Sequence, residues 1–356
     1  MRDKFESHSD PFALAQDMAF GDVHLKYDEA SELKAIIAIH NTNLGPSLGG
    51  CRFVSYQTSA DAIFDAMRLA QGMSYKAAIS GLSLGGGKAV IIKPEVVKDR
   101  ESLFSAFGDF VEEIDGRYIT AVDSGTHVSD MDVIARRTKH VSSTSIGERK
   151  TGDPSPYTAF GVKRAIEAAV KTKYGSDDMT GIHVAIQGTG HVGYYLAKEL
   201  HAVGARLTVS DVNKIALQKV ADEFSADVVD IHDIYKTKCH VFAPCALGGA
   251  INAQTVDLLA TDIVAGAANN QLATAEMGEI LKQKNILYAP DYVANAGGLI
   301  QIALVEENAV REKVSNIYST LLSIFEQAEK NGKNTAITAD EIAQEIIDKA
   351  GTKSAS

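Results

Sequence analysis

The stretch Gly188-Thr189-Gly190-His191-Val192-Gly193 limits most sharply what this chain can fold into. The apolar run Ile182-His183-Val184-Ala185-Ile186 before it reads as a buried strand. Residues 192–200 follow with helical spacing, and Gly204, a C-cap residue, hands over to Leu207-Thr208-Val209. The pattern is one β-α-β unit. In such a unit Gly188 permits the tight turn, Gly190 lets the backbone approach a pyrophosphate, and Gly193 lets the helix sit close to the sheet. The helix N-terminus at His191 and Val192 offers N–H groups and positive potential to phosphates. A packing turn is the plain alternative. The strand before, the helix after and Asp211 closing the second strand favour a dinucleotide site.

Asp211 also bears on the choice of dinucleotide. A carboxylate there accepts hydrogen bonds from ribose hydroxyls, whereas a 2'-phosphate would meet like charge. NAD is therefore expected over NADP, with Lys214 close enough in sequence to blunt the preference. Asp211-Val212-Asn213 also suits a simple turn.

A chain of 356 residues is long enough for two domains and a large core. Its net charge of −11 disfavours nucleic acid and anionic membrane as partners. Cys51, Cys239 and Cys245 are odd in number and lack CxxC spacing, so neither a disulfide framework nor a metal site is expected. The start, Met1-Arg2-Asp3-Lys4-Phe5-Glu6, lacks the apolar segment of a signal peptide. No run reaches the roughly 20 apolar residues of a membrane span. A cytoplasmic protein is expected.

Residues 32–150 mix strand-like runs at 33–40, 89–92 and 118–122 with helical stretches at 60–73 and 101–114, which reads as an α/β domain. Ile63, Ala66, Met67 and Ala70 share one face of the first helix and read as ordinary core. Residues 147–156 read as a linker. Beyond it, short apolar runs at 241–243, 263–265 and 286–289 alternate with helical segments, as a doubly wound parallel sheet requires. The helical pattern at 310–330 can cross back to the first domain. The expected division is 1–147 plus about 320–356 against 148–319, with disorder only at 352–356.

Two lysines stand out: Lys76 in Gly72-Met73-Ser74-Tyr75-Lys76, and Lys88 after Gly85-Gly86-Gly87. Consecutive glycines give up chain entropy, so the fold must need bare backbone beside that amine. A phosphate loop is excluded, because Leu82 and Ala89 stand where GxxxxGK[ST] needs Gly and Ser or Thr. The plain alternative is a glycine turn with a solvated lysine. Asp123 follows the strand-like Tyr118-Ile119-Thr120-Ala121-Val122, and Asn269-Asn270 follow Ile263-Val264-Ala265-Gly266. Alone, each reads as a cap or loop residue.

Taken together, these segments resemble the leucine dehydrogenase branch of the Glu/Leu/Phe/Val amino-acid dehydrogenases, almost end to end. The resemblance rests on Leu44-Gly45-Pro46-Ser47-Leu48-Gly49-Gly50, the two lysine segments, Gly152-Asp153-Pro154-Ser155-Pro156, Ala243-Pro244-Cys245-Ala246-Leu247-Gly248, Gly266-Ala267-Ala268-Asn269-Asn270-Gln271 and Ala289-Pro290-Asp291-Tyr292 through Asn295-Ala296-Gly297-Gly298. It implies an α/β fold of two domains, one for substrate binding and oligomerisation and one a doubly wound Rossmann domain for NAD, separated by a cleft. It also implies reversible NAD-linked oxidative deamination of an L-amino acid to a 2-oxo acid and ammonia by a homo-oligomer.

The roles then carry over residue by residue. Lys76 matches the lysine on the substrate carboxylate, beside Gly49; Lys88 matches the catalytic lysine, and Asp123 the acid that handles the amine's proton. An ordinary lysine, with a pKa of about 10.4, is a poor base at neutral pH, and a working one needs roughly 7 to 8. Burial and a cationic neighbour both push that way. The resemblance puts Asn270 on the substrate's amino group, Asn269 near the nicotinamide ribose, Thr158 at the nicotinamide amide, and Cys245 and Ala246 along the cofactor's path.

Glutamate dehydrogenases carry a lysine just before the Gly-Gly pair, where this chain has Leu48. A glutamate carboxylate buried there without a partner would lose on the order of a thousandfold. With Ala121, Leu299 and Ile302 as further walls the side-chain site is expected to be apolar, which favours leucine, valine or isoleucine. Phenylalanine and tryptophan enzymes share the scaffold, and a methylene is worth only about 1–3 kcal/mol in a pocket. Leu299, Gln301, the Leu304-Val305 pair, Ser124 and His127 depart from the leucine enzymes' usual pattern, which bears on substrate more than on reaction type. A non-catalytic NAD-binding module is the reading from another class. It has no need of Lys76, Lys88 and Asp123.

Overall fold

A computed structural model describes residues 11–18, 20–145, 152–304 and 306–354. The first half of the expected linker, residues 147–151, lies outside the described residues, as do 355–356. By internal packing the chain divides into two units, Arg2–Gly152 with Ala343–Ser356, and Asp153–Ile342. Among the described residues, no helix is long and apolar enough to cross a membrane.

The first unit is built on a five-stranded mixed sheet, β1 (Asp22–Asp28), β2 (Leu33–Asn41), β3 (Ser47–Val54), β4 (Gly85–Ile92) and β5 (Tyr118–Val122), in the order β1-β2-β4-β3-β5. β3 runs parallel to both β4 and β5, while β2 is antiparallel to β1 and β4. The helix Ser59–Ile79 covers one face, started by a capping box between Thr58 and Asp61. Ala62, Ala66, Met67 and Ala70 meet Ile36, Ala38 and Val90 there, and Ile63 is partly buried against them. The helices Arg100–Glu113 and Val128–Ala135 cover the other face, where Phe104, Phe107 and Met131 pack on Ile37, Phe53 and Ile91. Asp99 caps the first of these helices. The sheet is thus enclosed between two apolar layers.

Two strands differ from expectation. β4 begins at Gly85, so the three glycines lie within a strand, none with positive φ, rather than forming a turn. β1 alternates in the opposite sense to a half-buried strand: Val23, Leu25 and Tyr27 are its exposed residues.

The second unit holds a parallel sheet of six strands: β6 (His183–Gln187), β7 (Arg206–Ser210), β8 (Asp227–Val228), β9 (Val241–Pro244), β10 (Ile263–Val264) and β11 (Leu287–Tyr288). Their order is β11-β10-β9-β6-β7-β8. The order reverses between β6 and β9, which makes this the doubly wound Rossmann arrangement, with its topological switch point beside the end of β6. The helix His191–His201 follows β6, and Lys214–Phe224 follows β7. The expected helix at 310–330 is two, Glu307–Ser315 and Ile317–Asn331, parted at Asn316. The last helix, Thr335–Ser354, takes in 352–354 of the segment expected to be disordered; 355–356 lie outside the described residues.

Candidate active site

Parallel register places Leu48 opposite Gly86 on β4 and Gly50 opposite Ala121 on β5. The bare edge of Gly49-Gly50 therefore lies between the lysine strand and the aspartate strand. A Cβ on Gly49 would stand 1.7 Å from the Gly87 carbonyl oxygen, and one on Gly50 would stand 2.7 Å from Cβ of Asp123. On β4, a Cβ on Gly86 would meet the Ser74 amide at 2.0 Å, and one on Gly87 the Tyr118 ring at 2.7 Å. The glycines are there for close approach. Gly86 lets the Ser59–Ile79 helix press onto β4, two residues before Lys76 on one element and two before Lys88 on the other. Ser74 is fixed in turn by His40, whose Nδ1 lies 2.8 Å from its hydroxyl. Burial holds His40 near a pKa of about 4, so it stays neutral.

Lys88 is only 6 % exposed and forms an ion pair through Nζ with Oδ2 of Asp123. Burial, then the Arg52 guanidinium and Lys76, push the Lys88 ammonium down to about 7, while Cys51 and Asp65 act in the opposite sense. The touching Asp123 carboxylate also favours the charged amine, so the proton belongs to the pair. Asp123 is held tightly. Its Oδ1 accepts from the Ser124 amide at 2.6 Å and its own N–H donates to the Thr126 hydroxyl at 2.9 Å. Gly125 sits at φ +82° against the Phe53 carbonyl, locking this turn to β3. His127 begins the next helix, where its N–H donates to Asp130 at 2.7 Å.

Lys76 is half-buried in the last turn of its helix. Leu48 and Ala121 are 3 % and 1 % exposed. The fold therefore gathers Leu48, Gly49, Lys88, Ala121 and Asp123 on three adjacent strands of one unit. Arg52 and Asp65 belong to the same cluster and carried no sequence signal, because their pairing spans a strand and a helix.

In the second unit the fingerprint glycines differ in function. Gly188 adopts φ +98°, and a Cβ on it would stand 2.9 Å from Ala246. A Cβ on Gly193 would meet the Gly188 carbonyl oxygen at 2.0 Å, whereas one on Gly190 would meet nothing within 4 Å. Gly190 thus leaves open space at the start of the His191–His201 helix, whose N-terminus has no side-chain cap. That is a fit for a pyrophosphate. Asp211, half-buried, accepts from the Thr189 amide at 2.5 Å and hydroxyl at 3.1 Å through Oδ2, and from the Asn213 amide at 2.7 Å through Oδ1. Thr189 is a partner that sequence reading passed over, although it sits inside the fingerprint.

The Cys245 amide donates to the Gln187 carbonyl at 2.7 Å, which sets Cys245-Ala246 against the fingerprint turn. Asn269 and Asn270 are exposed, and Asn270 has φ +53°. Their loop is stapled from within: the buried Gln271 amide donates to the Gly266 and Ala268 carbonyls, and Asn295 donates to Asn269 Oδ1 at 2.8 Å. Asn295 and Gln271 are further residues the sequence did not single out. Leu299 is buried, Ile302 is half-buried, and a Cβ on the neighbouring Gly298 would stand 2.9 Å from the Thr158 hydroxyl. Among the described residues, no group of His, Cys, Asp and Glu is arranged to hold a metal ion.

Comparison with known proteins agrees with this layout. Residues 18–140 match the family model described as Glu/Leu/Phe/Val dehydrogenase, dimerisation domain. Residues 153–219 and 210–352 match that of Glutamate/Leucine/Phenylalanine/Valine dehydrogenase. The chain is 47 % identical over 325 residues to leucine dehydrogenase of Geobacillus stearothermophilus, covering 90 % of this chain and 89 % of that one. It is 44 % identical over 337 residues to valine dehydrogenase of Streptomyces coelicolor, covering 92 % of each. The crystal structure of L-tryptophan dehydrogenase from Nostoc punctiforme superposes with a TM-score of 0.85 at 40 % identity, covering 95 % of this chain and 99 % of that one.

Proposed function

The chain belongs to the Glu/Leu/Phe/Val dehydrogenase family, and on that premise we propose reversible, NAD-dependent oxidative deamination of an apolar L-amino acid, with leucine, valine and isoleucine favoured. The carrying observation is the ion pair of the buried Lys88 with Asp123 beside the bare Gly49-Gly50 edge.

In this reading Lys76 holds the substrate carboxylate as an ammonium ion. A bound NAD, held at Gly190 and Asp211, would supply the hydride acceptor for Cα. Asp123 takes the proton of the substrate amine and keeps the nitrogen in reach. Lys88, drawn toward neutrality by burial, then removes a proton from the water that attacks the iminium carbon. Asp123 returns its proton to the nitrogen of the carbinolamine, the C–N bond breaks to release ammonia, and the hydroxyl loses its proton to solvent as the carbonyl of the 2-oxo acid forms, polarised by the Lys88 ammonium. The protein supplies position and fixed charge.

For the cofactor, the supporting features are the open approach at Gly190, the uncapped helix start, and Asp211 pinned by Thr189 at the end of β7. A carboxylate so held favours free ribose hydroxyls, hence NAD over NADP. The parts assigned to Thr158, Cys245, Ala246 and Asn269 toward the nicotinamide, and to Asn270 toward the substrate amine, are supported by the stapled loops that carry them.

For the substrate, Leu48 is nearly fully buried and flanked by Gly86 and Ile119, with no cation to meet a side-chain carboxylate among its strand partners. Glutamate is expected to be a poor substrate. An aromatic preference is the second reading, favoured by the likeness to the tryptophan enzyme. NADH formation by purified protein with leucine, valine, isoleucine, phenylalanine, tryptophan and glutamate decides. Preference for glutamate would overturn the argument from Leu48.

A homo-oligomer is proposed as well. β1 is an edge strand that presents Val23, Leu25 and Tyr27 to solvent, 36 %, 64 % and 66 % exposed. Leu25→Lys should lower the mass seen by analytical ultracentrifugation. The three free thiols fit a cytoplasmic setting.

A further inference from the structure

Arg52 lies opposite Val90 in the β3–β4 register, two residues beyond Lys88. Residues two apart share a sheet face, so Arg52, Lys88 and Val90 all face the Ser59–Ile79 helix. Arg52 does not hang free there. Its Nη1 pairs with Asp65 Oδ2 at 2.6 Å, and the same oxygen accepts from the Tyr56 hydroxyl at 2.7 Å. Arg68 reaches Asp65 Oδ1 at 3.2 Å. Burial pushes the Asp65 carboxyl up, but Tyr56, Arg52 and Arg68 outweigh it and hold Asp65 ionised. A guanidinium is protonated at any working pH. Arg52 is thus a permanent cation tied down at one end, while its Nε is buried with no hydrogen-bond partner.

We propose that Arg52, clamped by Asp65 and Tyr56, is a positioning residue for Lys88: a fixed cation on the same sheet face that favours the neutral amine. The proposal rests on Lys88 as the base of the deamination. It assigns to an arginine that touches no reacting atom a charge effect that opposes the touching Asp123 carboxylate and favours the neutral amine, with the substrate-binding Lys76 adding to it. The other groups facing Lys88 are Asp123 from the end of β5 and Asp65 from the helix, while His40 on β2 is neutral; Cys51 on β3 acts from the opposite face of the sheet. Arg52 and Asp65 thus pull the amine in opposite directions. Arg52 sits diagonally from Lys88 on the adjacent strand and on the same face.

The test is the pH profile of kcat/KM for wild type, Arg52→Met and Asp65→Asn, with Lys88→Ala alongside. Diagonal neighbours at a partly buried site shift one another on the order of one pH unit. The acidic limb should move up by about that much in Arg52→Met and move down in Asp65→Asn. A merely structural role lowers kcat or Tm in both without opposite displacement. Limbs that stay put, or move the same way, overturn the proposal. If Arg52→Met does not fold, Arg52→Lys replaces it: the retained charge should keep the limb at the wild-type position, and a shift of about one unit would contradict the charge effect. Loss of turnover in Lys88→Ala with unmoved limbs sinks the Arg52 proposal alone, whereas a fully active Lys88→Ala sinks the reading beneath it.

Discussion

The buried Lys88 and the half-buried Asp123 form an ion pair across the gap left by Gly50, a residue whose missing side chain is what lets the carboxylate reach the amine. A methyl group there would stand 2.7 Å from Asp123 Cβ and 2.9 Å from the Val122 carbonyl oxygen. Gly50→Ala should therefore displace Asp123 and lower kcat by about 10²-fold, the lower end of what a positioned acid or base contributes, with NAD affinity unchanged. Steady-state kinetics and NAD titration on one preparation check it.

Gly86 and Gly190 make a contrasting pair. Gly86→Ala sets a methyl 2.0 Å from the Ser74 backbone nitrogen, which cannot yield without moving the helix that carries Lys76. A loss of about 2–3 kcal/mol, or failure to fold, is expected in denaturant unfolding. Gly190→Ala meets nothing within 4 Å. It should leave stability within about 0.5 kcal/mol and weaken NAD instead. Equal stability losses would contradict the assignment of one glycine to packing and the other to ligand approach.

Asp211→Ala removes the acceptor from Thr189 and, on the proposed reading, from the cofactor's ribose. The Kd for NAD should rise about tenfold and the gap to NADP should narrow, as for a lost charge-assisted hydrogen bond and a removed like charge. Parallel titrations with both dinucleotides measure this.

Asp340 gives a pH-dependent stability with a definite sign. Burial first, then Asp291 and Glu341, raise its carboxyl to about 6, against the hydrogen bond donated by the Tyr292 hydroxyl at 2.9 Å. Because the folded pKa exceeds the unfolded one, the contribution is full below about 3.9 and is lost as pH rises through about 6. Asp340→Asn should stabilise the protein by about 1–3 kcal/mol at pH 7.5 relative to its effect near pH 4. Thermal melts across that range would show a flat difference if Asp340 titrated normally.

Some of this was legible in the chain and some was not, for physical reasons. The β6–turn–helix unit was readable because each of its determinants is local: an apolar run, a glycine at φ +98° and a helix that starts within a few residues. The buried face of Ser59–Ile79 followed from its period in the same way. The strand at 89–92 and the need for bare backbone before Lys88 were readable, but the extension of β4 back to Gly85 was not, because glycine weakens a strand in isolation; the approach of Asn41, Ser74 and Tyr118 from other elements explains three in a row. β1 carries the polar–apolar alternation of a strand, with Val23, Leu25 and Tyr27 at every second place; what that pattern does not encode is that its apolar side faces outward. Arg52 with Asp65, Thr189 with Asp211, and Asn295 with Asn269 are partnerships between elements, and pattern along the chain does not encode them.

The most direct test of the central claim is the rate of NADH formation from L-leucine by wild type and Lys88→Ala, with NAD affinity measured on the same samples. Wild type should turn over, and Lys88→Ala should bind NAD as well while losing about 10²–10⁴-fold in kcat. A Lys88→Ala enzyme that deaminates leucine at close to the wild-type rate would contradict the account.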